Sequence, residues 1–192
     1  LKKIVLDEKV VELQGLPGSS KALVISILHN KKTNNEKKTT PLIVVCESFE
    51  VAEVLINDLN YFLGKESIHF FPFWDVLPYD NFSPHKDLVS QRFQTLDASL
   101  NGEVKIMVTT PNGLMQRFIP KKSFKKNTIN LNLEFEDGYQ ILKKQLFFSG
   151  YNLVDMVEDR GEFCSHGRII DVFPINLNKP VRIEFSIENK IS

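Results

Sequence analysis

The 192-residue chain lacks an excess of charge of either sign: 24 Lys and Arg balance 24 Asp and Glu, for a net charge of +0. Nucleic-acid-binding domains usually carry a clear positive surplus, so the balance argues against DNA binding as the main task, although a local patch is still allowed. The chain also lacks a long apolar run. Nothing approaches the roughly 20 residues that a membrane-spanning helix needs, and Leu1-Lys2-Lys3-Ile4 is not the start of a secretory signal. Cysteine is scarce, with only Cys46 and Cys164. Two cysteines cannot supply a four-ligand zinc site, and none of the four histidines stands at metal-ligand spacing to either. Two reduced thiols in a cytoplasmic protein are expected instead. The chain opens on Leu1 and stops in mid-pattern, so it is expected to be a piece of a longer protein.

What is present is an ordinary globular mixture, 42% hydrophobic and 25% charged, with 15 phenylalanines to build an aromatic core. Strand and helix signals alternate from residue 9 to about 118. Lys9–Leu13 suits a short strand, though it could pass for a helix, and Gly15-Leu16-Pro17-Gly18 suits a turn. Lys21–Leu28 is apolar at helical spacing, and the polar stretch Lys31–Thr40 reads as a loop. The run Leu42–Cys46 is apolar throughout, as in a strand buried on both faces. Ser48 can cap the next helix (Val51, Val54, Leu55, Leu59, Phe62) and Gly64 can stop it. Ser67–Phe71 reads as a strand, Pro72–Pro84 as irregular, Asp87–Leu100 as a helix, Lys105–Thr110 as a strand and Pro111–Phe118 as a short helix. This order predicts a parallel sheet covered on both faces.

Composition shifts at 120–128, where Lys121, Lys122, Lys125 and Lys126 cluster, and a boundary is placed there. Beyond it come an alternating strand (Ile129, Leu131, Leu133, Phe135), a turn at Asp137-Gly138 and a helix Tyr139–Phe148 stopped by Gly150. Four strand patterns follow, Leu153–Val157, Glu162–Ser165, Arg168–Phe173 and Val181–Phe185, which together make a small α+β domain with a mostly antiparallel sheet.

Gly15-Leu16-Pro17-Gly18-Ser19-Ser20-Lys21-Ala22 has the outline of a phosphate-binding loop, G-x-x-x-x-G-K-[ST], with Lys21 at the lysine position. Two positions fail. Ser20 replaces the second glycine, and Ala22 replaces the hydroxyl that ligates magnesium. The segment is either a plain strand-to-helix turn, a working anion site on a helix amino terminus, or an inactive descendant of a nucleotide loop. The last fits both the match and the failures.

That loop resembles the start of transcription-repair coupling factors. The likeness continues through Pro72-Phe73-Trp74-Asp75-Val76-Leu77-Pro78-Tyr79-Asp80, Ser83-Pro84-His85-Lys86-Asp87, Ser90-Gln91-Arg92 and Thr109-Thr110-Pro111-Asn112-Gly113-Leu114-Met115-Gln116-Arg117. It goes on through Gly150-Tyr151, Gly161-Glu162-Phe163 and Ile170-Asp171-Val172-Phe173-Pro174. The resemblance implies an α/β fold related to UvrB: a RecA-like, P-loop NTPase-type domain over 1–127 without a working nucleotide site, then an α+β UvrA-binding domain over 128–192, incomplete at its carboxyl end. It implies a non-catalytic module that recruits UvrA to stalled RNA polymerase for nucleotide excision repair, the alternative being a UvrB-like helicase domain with residual nucleotide or DNA binding. No cofactor is expected in this segment. ATP and Mg2+, RNA polymerase and double-stranded DNA would belong to domains absent here, which would also contact this module within the intact protein; no membrane is implied. The short connection from Tyr79 to Asp87 leaves no room for the long damage-probing hairpin of UvrB.

The UvrA-contacting pattern of the family has an arginine before the glycine matching Gly167, an arginine matching Arg182 and an aromatic after Phe185. This chain has His166, Arg182 and Ser186 there, with Arg168 as a substitute that would share the face of His166 on a strand. From pattern alone, Arg182 between Val181 and Ile183 is a solubilising residue, and His166 an ordinary surface histidine. Phe70, Phe71, Phe73 and Trp74 could stack bases but suit core packing better. Asp75 and Asp80 have no base or nucleophile at useful spacing, and Lys31, Lys32, Lys37 and Lys38 suit a solvated loop.

Overall fold

In the computed structural model, residues 11–35, 41–64, 68–77, 79–131, 138–186 and 191 are described, with side chains omitted for 31–35. They fall into two compact units, one drawn from Leu1–Phe70 with Gly102–Pro111, the other from Phe71–Asn101 with Asn112–Ser192.

The first unit begins with a turn in which Gly15 and Gly18 adopt positive φ, 69° and 54°, a region only glycine enters cheaply. Val11–Leu13 forms no strand, and residues 9 and 10 lie outside the described residues. Helix α1 (Ser20–Asn35) runs past the expected loop start at Lys31. No Gly or Pro stands between Gly18 and Pro41 to halt it, and polar side chains alone do not break a helix. Strand β1 (Leu42–Val45) follows, then α2 (Phe49–Leu63), whose Ser48 Oγ accepts the Val51 N–H and whose Gly64, at φ 81°, closes it through N–H to the Asn60 carbonyl. Strands β2 (Ile68–Phe71) and β3 (Ile106–Thr109) complete a sheet in the order β1-β3-β2, with β1 and β3 parallel and Leu42 opposite Ile106.

Ala22 and Ile25 of α1 and Ala52, Leu55 and Leu59 of α2 pack with Leu42, Val44, Ile106 and Val108. Period 3.6 on the helices and period 2 on the strands bring these residues to one layer. Burying each Leu or Ile there contributes about 1.5–3 kcal/mol. Ile43 and Val45 are 54% and 49% exposed, so the expectation that β1 is buried on both faces fails. Among the described residues β1 is an edge strand, and α1 and α2 both pack on its Leu42/Val44 side.

The second unit contains α3 (Lys86–Asn101), the short α4 (Pro111–Met115) that leads into it, α5 (Lys121–Asn127) and α6 (Gly138–Phe148). The lysine cluster taken as a boundary is thus a helix, anchored by buried Phe124 stacked on Phe93 at 5.7 Å. Ile129 and Leu131 form no strand, and residues 132–137 lie outside the described residues. α6 ends at Gly150 (φ 86°) with Gly150 N–H to Phe147 O and Tyr151 N–H to Leu146 O, the paired bonds of a Schellman motif.

A sheet follows in sequence order: β4 (Asn152–Leu153), β5 (Glu162–His166), β6 (Ile169–Phe173) and β7 (Val181–Glu184). β4 runs parallel to β5, and the other pairs are antiparallel. Leu142 and Leu146 of α6 cover Phe163, Ile170, Val172 and Ile183 on one face, with Phe185 set edge-on to Tyr139. The molecule is therefore α/β, with one sheet containing a parallel pair and one mixed sheet.

Candidate functional site

The strand register sets the sheet face turned away from α6. Cys164, Asp171 and Arg182 stand in one row across β5, β6 and β7. Arg182 donates from Nε to Asp171 Oδ1 at 2.7 Å and from its terminal nitrogen to Asp171 Oδ2 at 2.8 Å. This two-pronged pairing fixes the guanidinium plane, while the side chain stays 62% exposed. Hydrogen bonding from Arg182 holds the Asp171 carboxyl below its usual range, against the opposing effect of partial burial. The same pairing pushes the Arg182 guanidinium pKa further up. The buried Cys164 thiol lies 3.8 Å from Asp171 Oδ2.

His166 stands on the same face at the end of β5, one row further on, opposite Ile169. With Met156, Val181, Cys164, Asp171 and Arg182 it lines one surface depression of about 480 Å³. His166 and Arg182 are thus brought together. Arg168 and Ser186 are not in the depression. Gly167 and Arg168 form the two-residue turn between β5 and β6, with Gly167 at φ 60°. Arg168 therefore does not share a strand face with His166, which corrects the expectation above. Its carbonyl instead accepts the N–H of Phe185, next to the half-buried Ser186. Asp171 was not singled out from the sequence. Its signal was present: an acid flanked by Ile170 and Val172, on a strand one hairpin away from an arginine with the same flanks.

At the loop of residues 15–22, Ser20 Oγ donates to Pro17 O at 2.6 Å as α1 starts, and Ser19 O accepts the Leu23 N–H. Lys21 is exposed, whereas Ala22 is fully buried in the apolar core. The hollow beside the loop is lined chiefly by apolar residues, among them Leu13, Leu16, Val24 and Leu55, with Glu47 the one acid and Lys21 the one base. Burial pushes the Cys46 thiol at its floor up, with Lys21 opposing.

The shared motifs in the irregular stretch serve structure. Gln116 Oε1 accepts the Trp74 N–H at 2.6 Å and its amide nitrogen donates to Trp74 O. Asp75 accepts the His85 N–H, and Asp80 the Leu77 N–H at 2.7 Å. Arg92, 1% exposed, lies over the rings of Phe71 (4.2 Å) and Trp74 (4.4 Å) and donates to the Pro72 carbonyl. Burial pushes its pKa down to about 10. Phe70 sits edge-on to Phe49, so Phe70, Phe71 and Trp74 all pack against neighbouring side chains. Lys121, Lys122, Lys125 and Lys126 are exposed on α5, while the side chains of Lys31, Lys32, Lys37 and Lys38 lie outside the described residues. Among the described residues no group of His, Cys, Asp and Glu could hold a metal, and no helix is long and apolar enough to cross a membrane.

Residues 129–190 match the model of the UvrB interaction domain family, which takes in α6, the four-stranded sheet and the Arg182 face. The chain is also similar to transcription-repair-coupling factors. It is 28% identical to that of Escherichia coli (strain K12) over 150 residues, 78% of this chain and 13% of the relative. It is 30% identical to that of Mycobacterium bovis over 176 residues, 88% and 14%, and 27% identical to that of Bacillus subtilis (strain 168) over 172 residues, 90% and 14%. The chain therefore carries a UvrB interaction domain and is a relative of the transcription-repair-coupling factors over most of its length, as its motifs indicated. It spans about 13–14% of the length of those relatives.

Proposed function

We propose that this chain is a docking module that binds UvrA through the Arg182 face and so recruits it, through the parent protein, to stalled RNA polymerase for nucleotide excision repair. The observation that carries this reading is the pairing of Arg182 with Asp171 on the exposed face of a UvrB interaction domain. An arginine held in a fixed plane loses little rotamer entropy on binding, and its unused donors remain available to a partner carboxylate. His166, Met156 and Val181 around it offer further contact area. Arg168 and Ser186, at the near end of the β5–β6 turn, would meet a partner at the rim.

The first domain is read as a RecA-like domain that has left ATP chemistry, with its boundary near residue 127. The start of the family match at 129 supports the boundary. Burial of Ala22 and the apolar lining beside the loop support the loss of a magnesium and phosphate site at Gly15, Gly18, Ser19, Ser20, Lys21 and Ala22. ATP-driven translocation and contacts with RNA polymerase and double-stranded DNA are assigned to other parts of the parent protein. The short irregular path from Tyr79 to His85 supports the loss of a damage-probing hairpin.

Titration of the purified chain with UvrA tests the docking reading. A saturable complex is expected, with Arg182→Ala weakening it at least about tenfold, the effect of removing a binding anchor. No complex, or an unchanged affinity in the variant, would reject the assignment.

A further inference from the structure

Among the described residues, the edge of the mixed sheet farthest from β7 is β4. Asn152 N–H donates to Gly161 O and Val154 N–H to Phe163 O, each at 2.9 Å. Backbone groups alternate sides along a strand, so the N–H and C=O of Leu153 point outward from the sheet. The Leu153 side chain is 54% exposed. Beside this edge lies a groove of about 400 Å³, lined by Lys143, Lys144, Phe147 and Phe148 of α6 and by Leu153 and Phe163, with Gln140 at its end. Phe147 and Phe148 are 64% and 84% exposed and meet edge-to-face at 6.1 Å. The lining carries two cations and no carboxylate.

An open strand edge is ordinary, and so is a pair of exposed rings. Here an outward backbone donor and acceptor, an apolar seat and a cationic rim fall side by side, which are the parts of a strand-addition site. We infer that this groove binds an extended segment of a partner protein that carries apolar and acidic residues on one and the same face, at every second position. The segment lies along β4 and bonds to the Leu153 backbone. Every second side chain then falls on the α6 side: apolar ones rest on Phe147, Phe148 and Leu153, and carboxylates between them reach Lys143 and Lys144. Phe163 and Leu153 stand on the α6 side of the sheet and Arg182 on the other. The groove is therefore a second docking site, independent of the UvrA assignment.

The probe is a fluorescently labelled, acetylated octapeptide of sequence Val-Thr-Glu-Thr-Val-Thr-Glu-Thr, which presents valine and glutamate on one face, titrated into the 192-residue chain and followed by polarisation. The same peptide with lysine in place of glutamate serves as the charge control. Saturable binding of the acidic peptide is expected, at least about tenfold tighter than the basic one and weakened by salt. Lys143→Glu with Lys144→Glu should lower affinity at least about tenfold. So should Leu153→Pro, which removes the outward N–H together with a leucine side chain of the groove. Phe147→Asp, at an exposed helix position, gives a second readout should Leu153→Pro unfold. Failure of the acidic peptide to bind, equal binding of both peptides, or full affinity in the Lys143/Lys144 and Phe147 variants would overturn the proposal. Concentration-dependent dimerisation abolished by Phe147→Asp would also overturn it, by showing that a second copy fills the groove.

Discussion

Asp171 and Arg182 show how a side chain can be ordered without being buried. The arginine is exposed, so its pairing contributes little to stability once solvent screening is counted, and its worth lies in orientation. Because Asp171 has a depressed folded-state pKa, its stabilising contribution is complete above the ordinary aspartate value of about 3.9. It is lost as pH falls through the lower folded value. Asp171→Asn should remove this part of the acid limb: in urea melts between pH 6 and 2, the variant is expected to lose less stability on acidification than the parent chain. An acid limb of unchanged steepness would show that other carboxylates dominate it. Ala22 makes the complementary point. It is fully buried in the apolar core, so packing favours a small apolar side chain at the position where a phosphate loop would carry a hydroxyl.

At the scale of elements, the irregular stretch after β2 is held by side chains doing what a ladder does elsewhere. Gln116 brackets both backbone groups of Trp74. Arg92 of α3 bonds the Pro72 carbonyl between two aromatic rings, which offset its desolvation. Removing Arg92 leaves a buried carbonyl unpaired and a cavity. Arg92→Ala should therefore destabilise the chain by about 3 kcal/mol or more, and Arg92→Met, which refills the volume, by less. Chemical denaturation measures both; equal losses would mean that volume plays no part. Along the same helix, Asp87 pairs with Arg160 and Lys86 with Asp159 at 3.1 Å. Arg160 also lies over Phe173 and bonds the Leu177 carbonyl. These contacts tie α3 to residues beyond 150, which is why Phe71–Asn101 joins the second compact unit.

At the scale of the whole molecule, the chain is expected to respond to protein partners and not to nucleotide. ATP with magnesium should leave its melting temperature unchanged and release no phosphate, because Lys21 stands without a hydroxyl partner at position 22 and beside a mainly apolar hollow. A melting shift that saturates with ATP, or measurable turnover, would restore the reading as a nucleotide-binding helicase domain.

The sequence by itself determined the elements whose signals are local. Ser48 and Gly64 bracket α2, Gly150 ends α6, and alternation marks β5, β6 and β7, because caps and periods act within a few residues. Its motifs also determined the family. The tertiary structure alone decided what depends on pairing across the chain. It places Asp171 opposite Arg182 and puts Gly167-Arg168 in a turn. It exposes Ile43 and Val45 on one face of an edge strand and draws α3 toward the second unit. The Asp171–Arg182 pair joins residues 11 positions apart, and the Lys86–Asp159 pair residues 73 apart. A periodic pattern read along the chain holds no information about which residue lies across from which.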